Sequence, residues 1–264
     1  MKKFLVIGNP IKHSMSPKLH NYWIKKNNIQ AEYEKKKLNE KDLRNLIKKI
    51  RKNKINGANI TVPFKRAIIP LLDKLTSEAE KTQSVNTVYL KNNKIIGHNT
   101  DIIGFKNSIE KSKFNLKNKK IFIIGAGGVV PSIIFALKKM KVSKIIVSNR
   151  NKKKAENLKK LFKNLDIIDW GDVPKFDTII NATSVGLKKR DKIDLDFSKV
   201  GKNKLFYDVI YNPEETNFLK TAKNLGNKSI NGKLMFIYQA FSAFYIWHGL
   251  KPKINKDVIK LLNQ

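Results

Sequence analysis

The chain has 264 residues, with 55 Lys+Arg against 21 Asp+Glu and a formal net charge of +34. At ~150 residues per domain this length suggests about two domains, and a hydrophobic content of 41% excludes a disordered polyelectrolyte. With zero Cys, a disulfide framework, a zinc ribbon, an iron–sulfur cluster and a thiol nucleophile are all excluded.

Short apolar runs alternate with longer lysine-studded helical patterns, the signature of parallel α/β units. In chain order, Phe4–Gly8 predicts a strand, Pro17–Asn27 a helix with Pro at its start, and Ala31–Lys37 a strand. A helix over Glu40–Lys52 and a strand over Ala58–Val62, ended by Pro63, come next. Val85–Leu90 and Lys94–His98 flank Asn92-Asn93, a hairpin signal. After a helix over Asp101–Lys113, buried strands are predicted at Lys120–Ile124, Lys144–Ser148, Asp166–Asp169, Thr178–Asn181 and Leu205–Val209. Helices over Val129–Lys139, Asn151–Lys163 and Thr216–Leu225 lie among them, and helices over Gly232–Gly249 and Asn255–Asn263 close the chain.

No element reads as a leader or a membrane span. The apolar run Phe4–Ile7 is shorter than the ~7–15 residues of a signal-peptide core. Ile121–Leu137 and Leu234–Leu250 lack Lys, Arg, Asp and Glu, yet each falls short of the ~20 residues that cross a bilayer. The expectation is a cytoplasmic protein with no membrane partner. The charge invites a nucleic-acid reading, but 50 of the basic residues are Lys and only 5 are Arg, alongside 29 Asn, 33 Ile and 11 Ala. Surfaces that grip phosphates and read bases favour Arg, whose planar fork binds bidentately. Lys, Asn and Ile all have A/T-rich codons, so the excess reads as codon bias rather than a specific nucleic-acid partner.

Ile121-Phe-Ile-Ile-Gly-Ala-Gly-Gly is an apolar strand running into glycines and then a helix. Gly125 suits the tight turn, and Gly127 lets the backbone approach a pyrophosphate at the helix N-terminus. The next strand ends in Asn149 and Arg150, with Lys152, Lys153 and Lys154 behind. An NAD site typically carries a carboxylate there for the ribose hydroxyl, whereas Arg150 suits a 2′-phosphate. NADP(H) is the expected cofactor, and no metal is expected.

Gly8-Asn-Pro-Ile-Lys-His-Ser-Met-Ser-Pro-Lys-Leu-His-Asn21, Asn59-Ile-Thr-Val-Pro-Phe-Lys65 and Gly97-His-Asn-Thr-Asp101 together strongly resemble shikimate dehydrogenase. The resemblance continues through Val85-Asn-Thr87, the glycine turn, Asn181-Ala-Thr-Ser-Val-Gly186, Asp208-Val-Ile-Tyr-Asn-Pro213, and Asn231-Gly232 through Gln239-Ala240 to Trp247. It spans nearly the whole chain. It implies NADPH-dependent reversible reduction of 3-dehydroshikimate to shikimate, on the route to chorismate and the aromatic amino acids. By match to the family, Lys65 and Asp101 form the catalytic pair: the ammonium supplies a proton and stabilises developing alkoxide charge. Ser14 and Ser16 match the positions that hold the substrate carboxylate; Asn59, Thr61, Asn86, Tyr211 and Gln239 match other substrate contacts. Gly125, Ala126, Gly127, Gly128, Val129, Asn149, Arg150, Asn151 and Lys154 match the nucleotide-binding segments, with Thr183, Val209 and Gly232 near the nicotinamide path.

Several positions have a plainer reading. Ser14 and Ser16 also suit a helix cap before Pro17, Asp101 suits the cap of the next helix, and Gln239 suits a buried structural amide. His13 reads as structural. The chain departs from the family's small residues after the glycines, with Val129, Val130 and Pro131, and it has Asn151 and Leu187 where Thr and Met are usual. The implied architecture is α/β. A discontinuous substrate domain, 1–102 and 233–264, encloses a Rossmann-type NADP-binding domain at 103–232, with active-site residues facing the cleft between them. The chain is expected to act as a monomer or homodimer. Two rivals stay open: a dual quinate/shikimate dehydrogenase tied to NAD, and a polycation that binds nucleic acid or other polyanions on an inherited fold.

Overall fold

The N-terminal apolar run forms β1 (Lys2–Gly8), whose inner residues Phe4 to Gly8 are buried. In the computed structural model, which describes residues 1–263, the chain divides into two units: Met1–Gly104 with Ile237–Gln264, and Phe105–Phe236. The chain passes from one to the other within α4 (Asp101–Lys111) and returns within α8 (Lys233–His248).

The first unit holds α1 (Ser16–Lys26), β2 (Ala31–Lys37), α2 (Leu43–Arg51), β3 (Gly57–Ile60), β4 (Lys74–Leu75), α3 (Ser77–Thr82), β5 (Thr87–Lys91) and β6 (Lys94–His98), with α9 (Lys256–Leu261) from the C-terminus. Its sheet runs β2-β1-β3-β5-β6-β4. β1 is parallel to both β2 and β3, whereas β5 is antiparallel to β3 and β6. The Asn92-Asn93 hairpin is present: both residues take left-handed backbone angles, φ 49° and 57°, the conformation a two-residue turn demands. α2 buries Leu43, Leu46, Ile47 and Ile50, one face at helical spacing. These pack with Leu5 and Ile7 of β1, Ala58 and Ile60 of β3 and Val88 of β5.

The second unit holds β7 (Lys120–Ile124), α5 (Val130–Lys139), β8 (Lys144–Ser148), α6 (Lys152–Lys159), β9 (Asp166–Ile168), β10 (Thr178–Asn181), β11 (Leu205–Asp208), α7 (Asn217–Asn224) and β12 (Lys228–Ile230). All six strands are parallel, in the order β12-β11-β10-β7-β8-β9. Central strands of such a sheet are covered on both faces, which is why β7, β8, β10 and β11 read as apolar runs without alternation. Phe122, Phe176, Phe206 and Phe218 fill the core on one face. The chain order reverses between β7 and β10, and the crevice at such a switch point is the usual ligand position in a doubly wound sheet.

The predicted helix over Glu40–Lys52 starts instead as a 3-10 turn, Glu40–Asp42, because Asn39 and Asp42 form a reciprocal capping box. β4, α3 and β12 have no counterpart among the predicted elements: β4 spans two residues and β12 three, so pairing with β6 and β11 defines them. The apolar stretch Ile121–Leu137 divides between β7 and α5, and Leu234–Leu250 falls mostly in α8. Among the described residues, no helix is long and apolar enough to cross a membrane.

Candidate functional site

In the first unit, three loops leave the sheet close to one another and carry the candidate polar residues. Lys65 follows β3, and Asp101 opens α4 after β6. The Lys65 Nζ donates to Asp101 Oδ2 at 2.5 Å, and both side chains are about nine-tenths enclosed. The Lys65 carbonyl accepts from Val85 N at 2.9 Å, so the loop after β3 is tied by its backbone to the segment before β5. Asp101 does not serve as an ordinary helix cap. Its second oxygen, Oδ1, accepts from Asn86 Nδ2 at 2.9 Å.

Asn86 is the hub of this network. Its Nδ2 also donates to Thr100 Oγ1 at 2.9 Å, while its Oδ1 accepts from Thr100 N at 2.7 Å and Thr87 Oγ1 at 3.0 Å. Asn59, on β3, donates through Nδ2 to the Asn86 carbonyl at 3.0 Å and to Thr87 Oγ1 at 3.1 Å. Asn59 Oδ1 accepts from the Tyr33 hydroxyl at 2.6 Å. A buried polar cluster is stable only when its members are satisfied, and this one links strands β2, β3 and β5 to the start of α4.

Ser14 and Ser16 stand at the N-terminus of α1, where Pro17 occupies the first turn and no side chain caps the helix at Met15. Ser14 Oγ accepts from Ser16 N at 3.3 Å, which leaves its hydrogen for another acceptor. Ser16 is buried and Ser14 half-buried; His13 is exposed. Thr61 is half-buried, its N–H donating to the Ile7 carbonyl beside β1. Gln239, on α8, is half-buried in the same unit. The other candidate contact, Tyr211, belongs to the second unit, where its ring stacks on Phe236 with centroids 4.4 Å apart.

In the second unit, Gly125 to Val129, Asn149 with Arg150, Thr183 and Val209 all lie just beyond the carboxyl ends of parallel strands β7, β8, β10 and β11. Gly125 has φ 111°, and a Cβ there would lie 2.9 Å from the Ala182 carbonyl oxygen, so both conformation and contact demand glycine. Ala126 is half-buried, and Gly127 and Gly128 are exposed, at the open N-terminus of α5, which no side chain caps. The bulky Val130 and Pro131 point inward and are buried, leaving half-buried Val129 as the larger side chain at the turn. Arg150 and Lys154 are exposed. Asn151 caps α6, its side chain accepting from Lys154 N at 3.3 Å, and Asn149 Nδ2 donates to the Asn151 carbonyl at 2.8 Å. Lys152 is committed to Asp169 at 2.8 Å. A Cβ on Gly232 would meet the Val209 carbonyl oxygen at 2.1 Å, which makes that approach possible only for glycine.

Side chains outside the predicted set hold these loops. Asp208, at the end of β11, accepts from Asn181 Nδ2 at 3.1 Å, Ile210 N at 3.0 Å and Thr216 Oγ1 at 2.6 Å. Burial pushes its carboxyl up to about 6, against the opposing effect of those hydrogen bonds. Asn181 Oδ1 in turn accepts from Thr183 N and Oγ1. In the first unit, Tyr33 and Thr100 complete the network. The one sequence signal for Tyr33 is that it is the lone aromatic in a strand otherwise charged from Glu32 to Lys37. Among the described residues, no group of three or more His, Asp or Glu is arranged to hold a metal ion.

Comparison with known proteins places both units. Residues 6–88 match the model of the shikimate dehydrogenase substrate binding domain, and residues 108–199 match that of shikimate / quinate 5-dehydrogenase. A shikimate dehydrogenase (NADP(+)) of Pelagibacter ubique is 61% identical over 262 residues, 99% of each chain. Among solved structures, shikimate dehydrogenase from Aquifex aeolicus is 36% identical with a TM-score of 0.90, covering 99% of this chain and 97% of its own. Shikimate 5-dehydrogenase from Thermus thermophilus, solved in complex with NADP(H) and shikimate, is 29% identical with a TM-score of 0.89, at 99% and 97% coverage.

Proposed function

The chain belongs to the shikimate dehydrogenase family, and we propose that it catalyses the reversible, NADPH-dependent reduction of 3-dehydroshikimate to shikimate. The observation that carries this reading is the buried Lys65–Asp101 pair, set in a network of amides and hydroxyls at one end of the first unit's sheet. Reduction of a ring ketone leaves negative charge on the former carbonyl oxygen, and Lys65 Nζ is the donor that neutralises it. Asp101 Oδ2 holds the ammonium in place, while Asn86 holds the other carboxylate oxygen, so the pair cannot swing freely. Ser14 and Ser16 bind the substrate carboxylate through hydroxyls, which accommodate an anion without burying a second full charge. Thr61 and Gln239 extend the set of groups that pair with ring hydroxyls, and an analogue lacking those hydroxyls leaves them unpaired.

The second unit fits a dinucleotide phosphate. The uncapped N-terminus of α5 offers backbone N–H groups, and a Cβ on Gly127 would meet only the Ala182 carbonyl oxygen, at 3.9 Å, so the turn stays open above it. β8 ends without a carboxylate, and exposed Arg150 with Lys154 supplies charge for a 2′-phosphate. When bound, NADPH supplies the hydride. We assign Met1–Gly104 with Ile237–Gln264 to the substrate and Phe105–Phe236 to the cofactor.

The absence of an acid after β8 also argues against a quinate enzyme tied to NAD. Protein mixed with shikimate and NADP+ is expected to produce reduced nicotinamide absorbance, with much weaker turnover of quinate or of NAD+. No turnover of shikimate with either nucleotide would refute the assignment; equal turnover of quinate with NAD+ would favour the dual enzyme.

A further inference from the structure

The polar network that ends at Lys65 starts at Tyr33, on the edge strand β2. Tyr33 is the one buried residue of that strand. Its backbone is clamped on the open edge by a single side chain: Asn21 Nδ2 donates to the Tyr33 carbonyl at 2.8 Å, and Tyr33 N donates to Asn21 Oδ1 at 2.9 Å. Its ring lies flat on His20, centroids 4.1 Å apart and planes 4° from parallel. With backbone and ring both fixed, the hydroxyl has a defined position, from which it donates to Asn59 Oδ1 at 2.6 Å. Burial raises the phenol well above its ordinary value, so the hydroxyl keeps the proton it donates to Asn59 at neutral pH.

A carboxamide has two nearly isosteric ends, and only its partners decide which way round it sits. The Asn86 carbonyl can only accept, so it takes Nδ2, and the Tyr33 hydroxyl closes the other side by donating to Oδ1. We propose that the Tyr33 hydroxyl is a positioning group for the substrate site, bracing the Asn59 carboxamide without touching the substrate itself. The proposal rests on the assignment of shikimate to this unit.

The test is Tyr33→Phe, which keeps the ring, the stack on His20 and the backbone clamp while deleting the hydroxyl. Steady-state kinetics on the purified enzyme are expected to give a shikimate KM raised about tenfold, kcat within about twofold, and an unmoved KM for NADP+. Combined with Asn59→Ala, the two KM effects are expected to be strongly less than additive. A shikimate KM within about twofold of the parent, an equal rise in both KM values, full additivity with Asn59→Ala, or loss of the cooperative unfolding transition would each overturn the proposal. The last would make the hydroxyl a folding determinant instead. The parent chain run alongside keeps the two claims apart: no shikimate turnover by the parent refutes the activity, whereas normal turnover with an unmoved KM in the variant refutes only the role of the hydroxyl.

Discussion

Among the described residues only two of the 50 lysines, Lys65 and Lys233, are buried. Lys233 meets the mostly exposed Glu214 at 2.7 Å, but Lys65 is paired with a carboxylate as enclosed as itself. A buried pair is retained at a desolvation cost that surface lysines never meet, which points to use rather than stability. Lys65→Ala is expected to lower kcat by roughly 10²–10⁴-fold while the shikimate KM changes little, since the group acts chiefly on the charge that develops during reduction. A near-normal kcat would remove Lys65 from the chemistry. Arg150 poses a different question because its side chain is exposed and its worth depends on the ligand. Arg150→Ala is expected to raise KM for NADP+ at least ~10-fold more than for NAD+, and equal effects would refute recognition of the 2′-phosphate.

Elements of the two sheets differ in how legible they are. Strands of the parallel sheet are apolar throughout and bounded by glycine or polar turns, so Lys120–Ile124, Lys144–Ser148 and Thr178–Asn181 are predicted with their observed limits. Pairing rather than composition creates β4 and β12, which no local pattern marks. The loops that carry function are fixed by contacts outside their own sequence. Asp208 pins the turn after β11, and Gly232 N donates to the Ile210 carbonyl at 2.9 Å, tying that turn to the entry of α8. Gly232→Ala forces a Cβ against the backbone of Val209, where no flexible side chain can yield. Such overpacking costs about 1–3 kcal/mol, so thermal denaturation is expected to show a Tm lowered by on the order of 5 °C or more. An unchanged Tm would mean that the turn after β11 moves aside freely.

At the scale of the whole molecule, the two units respond to acid in opposite senses. His20 is fully enclosed by Tyr33, Trp23, Phe244 and Trp247, neither ring nitrogen has a partner, and burial lowers it from 6.5 to about 3. Between those values the unfolded chain binds a proton that the folded chain does not, so stability falls as pH drops through the window. His248, lowered to about 4 chiefly by burial, acts in the same direction. Asp208 is raised from 3.8 to about 6, so its contribution is fully present below 3.8 and lost as pH rises through 6; acidification therefore favours the second unit. Between pH 7 and pH 5, hydrogen exchange is expected to show protection lost in the first unit, by about 2 kcal/mol from His20, and gained by about 1 kcal/mol in the second. His20→Phe is expected to flatten the acid slope of the first unit; an unchanged slope would show that its imidazole is not the sensor. The net charge of +34, by contrast, is carried almost wholly by solvated lysines and attracts anions in general. By itself the sequence determined the fold class, the family and the residue types offered to substrate and cofactor, because these are written in runs of a few residues at strand ends. Only the tertiary structure decided that Lys65 meets Asp101, 36 residues away, and that the Tyr33 hydroxyl meets Asn59 across 26. Contacts at that separation depend on the register of β1 against β2 and β3 and of β5 against β3 and β6, and a register is a property of paired strands that no single strand encodes.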